Sequence, residues 1–147
     1  MKDLAVTLEF ITPCLVLGPI DPETNCEYFD RDSRNHVIWN QTWWYSAISK
    51  TIEMFELKNI TPKDFIWAPT VDAVTGIHEV KYSGSKLRKH ECFLPGHDVT
   101  FEAAVPQELD LEATKELFTR MGKYSGLSPY GYNLGYGKFN ILSIEIN

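Results

Sequence analysis

Residues 126 to 139 read Gly126-Leu127-Ser128-Pro129-Tyr130-Gly131-Tyr132-Asn133-Leu134-Gly135-Tyr136-Gly137-Lys138-Phe139. This glycine-rich segment joins a helical pattern to the last strand-like run of the chain, Phe139 to Ile146. Glycine adopts positive φ without penalty and lets a backbone approach a ligand closely. Backbone N–H groups in such a loop can bind an anion, and tyrosine rings offer flat amphipathic faces. The segment is therefore the candidate binding loop; the alternative is a turn that only closes the sheet.

The order of elements around these glycines excludes two nucleotide-binding motifs. The dinucleotide fingerprint and the P-loop both need a strand, then glycines, then a helix. Here the order is helix, glycines, strand. The segment therefore indicates where a ligand binds but assigns no chemistry.

Upstream of this segment, the periodicity predicts strands and two helices. Alternation of Leu4, Val6, Leu8 and Phe10 with polar residues predicts a half-buried first strand. Asn40 or Thr42 is expected to cap a helix running to about residue 57, and a second helix follows Asp110 and ends at Gly122. Between the helices, short β runs separated by turns extend from residue 64 to 105.

Reduced to its frame, this order is β-α-β-β-α-β with extra β-hairpin material between the helices. Right-handed crossovers fold that frame into an antiparallel sheet with both helices on one face, the ferredoxin-like arrangement. We therefore predict an α+β fold and a single domain spanning residues 1–147. The final strand should be central or paired on at least one side, because both of its faces carry apolar residues.

Composition restricts the class of partner. The chain has 147 residues, 44% of them hydrophobic, and a net charge of −6, which opposes the large positive field of a protein that binds long nucleic acids. A local basic site remains open, because Lys81, Lys86, Arg88 and Lys89 fall within ten residues. Three widely spaced cysteines and the lack of a long apolar run predict a cytoplasmic protein with no membrane partner. We also expect no cofactor.

The β-α-β-β-α-β order and the glycine-rich segment before the last strand resemble the RAMP superfamily, the ferredoxin-like RNA-binding proteins of CRISPR effector complexes. A diverged, stand-alone member, for example of viral origin and acting inside a host cell, would account for the acidic composition and the single unit. The resemblance implies RNA or nucleotide contacts from the glycine-rich segment and from the hairpin after the first helix. Carried over by position, the contact residues are Lys123, Tyr130, Gly131, Gly135, Tyr136, Gly137 and Lys138, with Lys81, Lys86, Arg88 and Lys89.

Catalytic and metal sites have weaker patterns. Metal-independent RNA cleavage needs a general base and a charge-stabilising donor, for which His78, His90 and His97 are the candidates. A zinc site formed by His90, Cys92 and His97 would lack a nearby fourth ligand, so we expect no metal. Trp43 is predicted to pack against the sheet or a neighbouring subunit rather than to stack on a base.

Taken together, the sequence predicts a non-catalytic protein that binds RNA or a small nucleotide through the glycine-rich segment and the basic hairpin. Two alternatives stay open. One is a protein-interaction or assembly subunit, or an inhibitor of a nucleic-acid machine, with a protein partner or a homo-oligomer. The other is a metal-independent endoribonuclease.

Overall fold

A computed structural model describes residues 1–15, 18–81, 87–128 and 135–147. The helices are α1 (Gln41–Phe55) and α2 (Leu111–Arg120). The long strands are β1 (Lys2–Phe10), β8 (Thr75–Lys81), β9 (Leu87–Phe93), β10 (Asp98–Val105) and β11 (Phe139–Ile146). The short strands are β2 (Cys14–Leu15), β3 (Ile20–Asp21), β4 (Cys26–Glu27), β5 (Val37–Ile38), β6 (Ile66–Trp67) and β7 (Thr70–Val71). None of the helices described is long and apolar enough to cross a membrane.

The main sheet has four antiparallel strands in the order β11-β1-β10-β6. As the alternation predicts, every second residue of β1 from Leu4 to Phe10 is buried. The strand β11 pairs along β1, which confirms that the last run is a paired strand, and it occupies an edge of the sheet. The buried side chains of β1 and β10 face the helices, and the intervening residues form the open face.

Both helices begin at the predicted caps. The Asn40 side chain accepts a hydrogen bond from the Thr42 N–H at 2.9 Å, and the Asp110 carboxylate accepts one from the Ala113 N–H at 3.0 Å. Such caps satisfy backbone donors that the first helical turn leaves unpaired.

The helices meet on one face of the main sheet. Trp44 of α1 stacks on Trp67 of β6 with ring centroids 3.8 Å apart. Phe118 of α2 contacts both tryptophan rings edge-on at 6.0 Å, so α1, α2 and β6 share one aromatic cluster. Because these contacts join residues distant in sequence, the sheet and both helices bury a common core.

The prediction of one antiparallel sheet is too simple, because the strands are divided among three sheets. A second sheet contains β2, β9, β4 and β3 with β8 added beside β9, and the third pairs β5 with β7. One pair, β4 with β9, is parallel. Phe93 of β9 stacks on Phe10 of β1 at 5.7 Å, so the second sheet packs on the core of the first. The fold is therefore α+β with two helices and several sheets.

The predicted end of the second helix at Gly122 is wrong. The chain continues through a π-helical turn, Met121–Ser125, and the positive φ occurs at Gly126 (72°). A Cβ at Gly122 would lie 2.3 Å from the Phe139 carbonyl oxygen. Gly122 is therefore required by the close approach of β11, not by a helix cap.

Candidate nucleic-acid interface

The described end of the glycine-rich segment is fixed to the loop after β1. The Gly137 N–H donates to the Pro13 carbonyl at 2.8 Å, and the Gly137 carbonyl accepts from the Leu127 N–H at 3.0 Å. The Thr12 hydroxyl donates to the Gly135 carbonyl at 2.8 Å and accepts from the Lys138 N–H at 2.9 Å. These bonds make residues 135–138 a positioned platform.

The glycines of this platform have different roles. A Cβ on Gly137 would lie 2.3 Å from the Ser128 backbone nitrogen, and one on Gly126 would lie 2.6 Å from the Tyr136 carbonyl oxygen. These two positions therefore require glycine for backbone packing. At Gly135, where φ is also positive, a Cβ would meet no atom within 4 Å among the described residues. Among the described residues, Gly135 is therefore the glycine of this platform that has space for a side chain but a φ that favours glycine.

Tyr136 joins the glycine-rich segment to the second sheet. Its half-buried ring packs on a small cluster formed by Leu15, Val80 and Cys92. The ring also contacts the His78 imidazole edge-on, with centroids 5.5 Å apart. The structure thus brings together two regions that the sequence predicted separately, the glycine-rich segment and the β8–β9 hairpin.

The hairpin cations do not share one face. In the β8–β9 register, Glu79 lies opposite Lys89, and Lys81 lies opposite Leu87. Since side chains alternate along a strand, Lys81 and Lys89 project away from the face that carries Arg88. Arg88 is half-buried on the same face as His78 and Tyr136, whereas Lys89 is exposed and lies 3.9 Å from Glu79. The cations of the predicted basic hairpin therefore lie on two faces. Among the described residues of the hairpin, Arg88 is the cation on the same face as Tyr136.

The three candidate catalytic histidines occupy different environments. His78 and His90 are opposite each other on β8 and β9, but His90 is fully buried and its Nδ1 lies 2.7 Å from the Glu27 carboxylate. His97 is exposed in the turn before β10. A buried imidazole bound to a buried carboxylate is suited to holding strands together, since it has no solvent-facing surface for substrate.

A cavity of about 70 Å³ adjoins the glycine-rich segment on the side of α1. Its lining residues are Trp43, Ser46, Ala47, Lys50, Ser125, Gly126, Leu127 and Ser128. The Ser125 hydroxyl bonds the Thr51 hydroxyl at 2.8 Å and Ser128 donates to the Leu15 carbonyl at 3.1 Å, so both also hold the segment in place. The exposed Lys50 supplies the cation of this cavity.

Sequence reasoning missed Lys50, although a signal was present. Trp43, Ser46 and Lys50 are spaced three and four residues apart, which places them on one face of α1. That face is adjacent to the buried stripe that includes Trp44, and it meets the glycine-rich segment. Trp43 itself packs edge-on against Trp39 at 4.6 Å, in line with its predicted packing role.

The remaining predicted contact residues are arranged as follows. Lys123 is exposed, with its Nζ 5.3 Å from the centre of the Tyr124 ring, and Lys138 is half-buried. Lys86, Tyr130 and Gly131 lie outside the described residues. Lys50, Lys123, Arg88 and Lys138 are thus the described cations on or beside the glycine-rich segment.

Arg31 serves the fold rather than a ligand. Its guanidinium is bonded to the buried Glu91 carboxylate, which also accepts from the Thr75 hydroxyl at 2.7 Å and the Phe29 N–H at 2.9 Å. Nearby, the backbone N–H groups of His36 and Arg34 lower the pKa of the Asp32 carboxyl. The loop that carries these residues is therefore organised by its own internal bonds.

The open face of the main sheet has the opposite charge. Its charged side chains on β1, β10 and β11 are Asp3, Glu9, Asp98, Glu102 and Glu145. Across the described residues of these strands, this face has no cation and no aromatic ring. It consequently lacks the stacking rings with which RNA-recognition modules bind bases on an open sheet.

Comparison with known proteins gives a likeness at the level of fold. No protein-family model and no curated protein sequence matches the chain. Among solved structures, a chain in the cryo-EM structure of the Type III-B Cmr-beta bound to cognate target RNA matches with a TM-score of 0.62 and 12% identity. The match covers 99% of this chain and 60% of the other, so this chain spans less than two thirds of that chain's length. The match supports a distant RAMP-like fold.

Proposed function

We propose that this chain is a single RAMP-like domain with a ferredoxin-like core that binds RNA or a small nucleotide without cleaving it. The order β11-β1-β10-β6, with α1 before β6 and α2 between β10 and β11, supports the ferredoxin-like core. The Cmr-beta structure that it resembles was solved with target RNA bound, which supports RNA as the ligand class. Fold alone does not assign function, so the proposal depends on the site.

The observation that carries the proposal is the cavity between α1 and the glycine-rich segment. Lys50 lines this cavity together with Ser125, Gly126, Leu127 and Ser128, and Gly135 belongs to the same glycine-rich segment. A cation beside a glycine-containing loop suits one phosphate group of a nucleotide or an RNA strand. The acidic open face would repel the same phosphates, so the two surfaces favour the glycine side as the binding side.

Binding without cleavage fits the histidine arrangement. His90 is buried against Glu27, and His97 is exposed in a turn at the end of β9. Cleavage by a general base requires an imidazole within hydrogen-bond reach of the ribose 2′-hydroxyl. Of the three candidates, His78 alone adjoins Tyr136. Incubation with labelled RNA in EDTA should therefore leave the RNA intact; cleavage that His78→Ala abolishes would establish the endoribonuclease alternative.

The binding test compares two lysines at exposed helical positions. Lys50→Ala removes the cation of the cavity, while Lys115→Ala removes an exposed cation on α2 that lies 3.8 Å from Glu112. We expect Lys50→Ala to weaken binding of a labelled single-stranded RNA and to reduce the slope of log affinity against log salt by about 0.7, the loss of one phosphate contact. Lys115→Ala should leave both quantities unchanged.

Thermal melting of each variant separates a binding defect from unfolding. Lys50→Arg, which keeps the charge, should restore most of the affinity. Equal effects of Lys50→Ala and Lys115→Ala, or an unchanged salt slope in Lys50→Ala, would overturn the assignment of the cavity as a phosphate site.

The acidic open face favours a second candidate function, interaction with a basic protein. Its five carboxylates are accompanied by Ile66, which is 58% exposed. Protein purified from its expression host would separate the two functions. An absorbance ratio and mass spectrum that reveal bound nucleotide favour the first, and nucleotide-free protein that does not bind RNA favours the second.

A further inference from the structure

The two edge strands of the main sheet, β6 and β11, differ in the partners of their backbone groups. At the β6 edge, the Gln41 side chain donates to the Trp67 carbonyl at 2.8 Å and accepts from the Trp67 N–H at 3.2 Å. This amide occupies the backbone groups that an added strand would use. At the other edge, β11 is eight residues long and pairs with β1 alone among the described strands.

The backbone bonds of β11 identify which groups point outward. Asp3 and Asn147 are bonded in both directions, at 3.3 and 2.9 Å. Because bonded pairs alternate along an antiparallel ladder, the next are Ala5 with Glu145 and Thr7 with Ser143. The N–H and carbonyl groups of Ile144 and Ile146 therefore point away from β1.

The same alternation applies at the start of β11. The Ile11 N–H donates to the Lys138 carbonyl at 2.8 Å, and Glu9 lies opposite Asn140. Phe139 and Ile141 therefore direct their backbone groups outward. An irregularity in the register between these two halves leaves Leu142 as the extra residue.

The sequence of β11 does little to protect this edge. Proteins usually block edge strands with lysine, proline or a covering element. Residues 139–146 contain neither lysine nor proline, and Leu142 is 48% exposed. The bulge at Leu142 is the protective feature of this strand.

We propose that β11 pairs antiparallel with β11 of a second copy of this chain, about a two-fold axis between Leu142 and Ser143. In this register Phe139 lies opposite Ile146, Asn140 opposite Glu145, Ile141 opposite Ile144, and Leu142 opposite Ser143. The pairs Phe139–Ile146 and Ile141–Ile144 join residues whose backbone groups point outward, so they form the hydrogen bonds of the new ladder. The two central Leu142–Ser143 pairs are unbonded, because the bulge in each strand shifts the alternation there. The two four-stranded sheets become one eight-stranded sheet, which follows from the four strands of each copy.

Side chains favour the same register. Phe139, Ile141, Ile144 and Ile146 lie on the helix-covered face, because they are opposite the buried residues of β1. The register places them opposite one another across the new interface, while Glu145 meets the neutral Asn140. Pairing centred on Glu145 would instead place two carboxylates opposite each other, which is destabilising. This self-complementarity identifies a second copy, rather than another protein, as the occupant.

Hydrogen exchange of single amides measured by NMR tests the pairing directly. The Ile144 and Ile146 amides should become more protected as protein concentration rises, because they gain acceptors in the second copy. The Ser143 and Glu145 amides, already bonded to β1, should keep the same protection. Unprotected Ile144 and Ile146 amides at every concentration overturn the proposal and leave this edge to an extended segment of a different protein.

A matched pair of variants tests the interface without altering the RNA site. Leu142→Lys places a charge at the proposed axis, and Ile66→Lys places one at a comparably exposed position on the opposite edge strand. Sedimentation equilibrium should show a dimer that Leu142→Lys weakens by about tenfold or more and that Ile66→Lys leaves intact. A monomeric wild type, or a dimer weakened only by Ile66→Lys, contradicts the proposal; RNA affinity is measured separately, because the dimer does not depend on it.

Discussion

The imidazole Nδ1 of His90 lies 2.7 Å from the Glu27 carboxylate, and both side chains are buried. The two residues are opposite each other in the parallel pair β4–β9, although they are 63 positions apart along the chain. A polar pair in this position fixes a two-residue strand that has few backbone bonds of its own. It therefore specifies how the second sheet is assembled.

Removal of one member of this pair should be costly. His90→Ala leaves a buried carboxylate without its imidazole, and we expect a loss of about 3–5 kcal/mol in the free energy of unfolding. His97→Ala, at an exposed turn, should change it by less than about 0.5 kcal/mol. Urea denaturation of both variants provides the measurement, and similar values for the two would show that the buried pair contributes little.

Gly137 and Gly135 should differ in their tolerance of alanine. Both have positive φ, but a Cβ at Gly137 would lie 2.3 Å from the Ser128 nitrogen, whereas one at Gly135 meets no described atom within 4 Å. We expect Gly137→Ala to lose about 3–5 kcal/mol through clash and strain together, and Gly135→Ala to lose about 1–2 kcal/mol through φ alone.

RNA affinity provides a second comparison of Gly135→Ala with Gly137→Ala. If the Gly135 backbone contacts phosphate, Gly135→Ala should weaken RNA binding by more than its change in melting temperature explains. Calorimetric titration below the melting transition makes this measurement. If RNA affinity falls only as far as the lower melting temperature explains in both variants, the glycine-rich segment has a structural role alone. The protein-interaction function would then become the leading proposal.

Folding stability and RNA affinity should depend on the ring of Tyr136 rather than on its hydroxyl. The ring packs on Leu15, Val80 and Cys92, so Tyr136→Ala should lower the free energy of unfolding by about 2 kcal/mol. If a base stacks on it, RNA affinity should also fall by about 1–3 kcal/mol. Tyr136→Phe keeps the ring and should retain both properties. Thermal melts and titrations of the two variants check this, and equal losses of affinity would assign the contact to the hydroxyl.

Alkaline stability should depend on Cys92. Burial raises the pKa of this thiol from 9.0 to about 11. As pH rises, the Cys92 thiol loses its proton at a lower pH in the unfolded chain than in the folded protein. The contribution of the neutral thiol to folding stability is therefore complete below pH 9 and is lost as pH rises toward about 11. The melting temperature should therefore fall less steeply over this interval in Cys92→Ala than in the wild type. Parallel curves for the two proteins would contradict the prediction.

Local sequence signals predicted the first strand and the starts of both helices. The alternation from Leu4 to Phe10 follows directly from burial of one face of β1, and Asn40 and Asp110 act as caps through their own side chains. Such features depend on residues close in sequence. They could therefore be recognised without the structure.

Long-range pairs could not be predicted in this way. The strand β4 has two residues, and nothing in their local pattern indicates that Glu27 lies beside His90. Gly122 was misplaced because its close partner, the Phe139 carbonyl, lies beyond the glycine-rich segment. The cavity of Lys50 likewise exists only once α1 and residues 125–128 are packed together.

The separation of charge across the main sheet has a kinetic consequence. Asp3, Glu102 and Glu145 belong to the open face, whereas Lys50 lies on the helix-covered side next to the glycine-rich segment. The carboxylates of the open face repel any polyanion that approaches from that side. If the proposed site binds a phosphate chain, this repulsion makes encounters on the Lys50 side more frequent than encounters on the open face, although the protein is acidic overall.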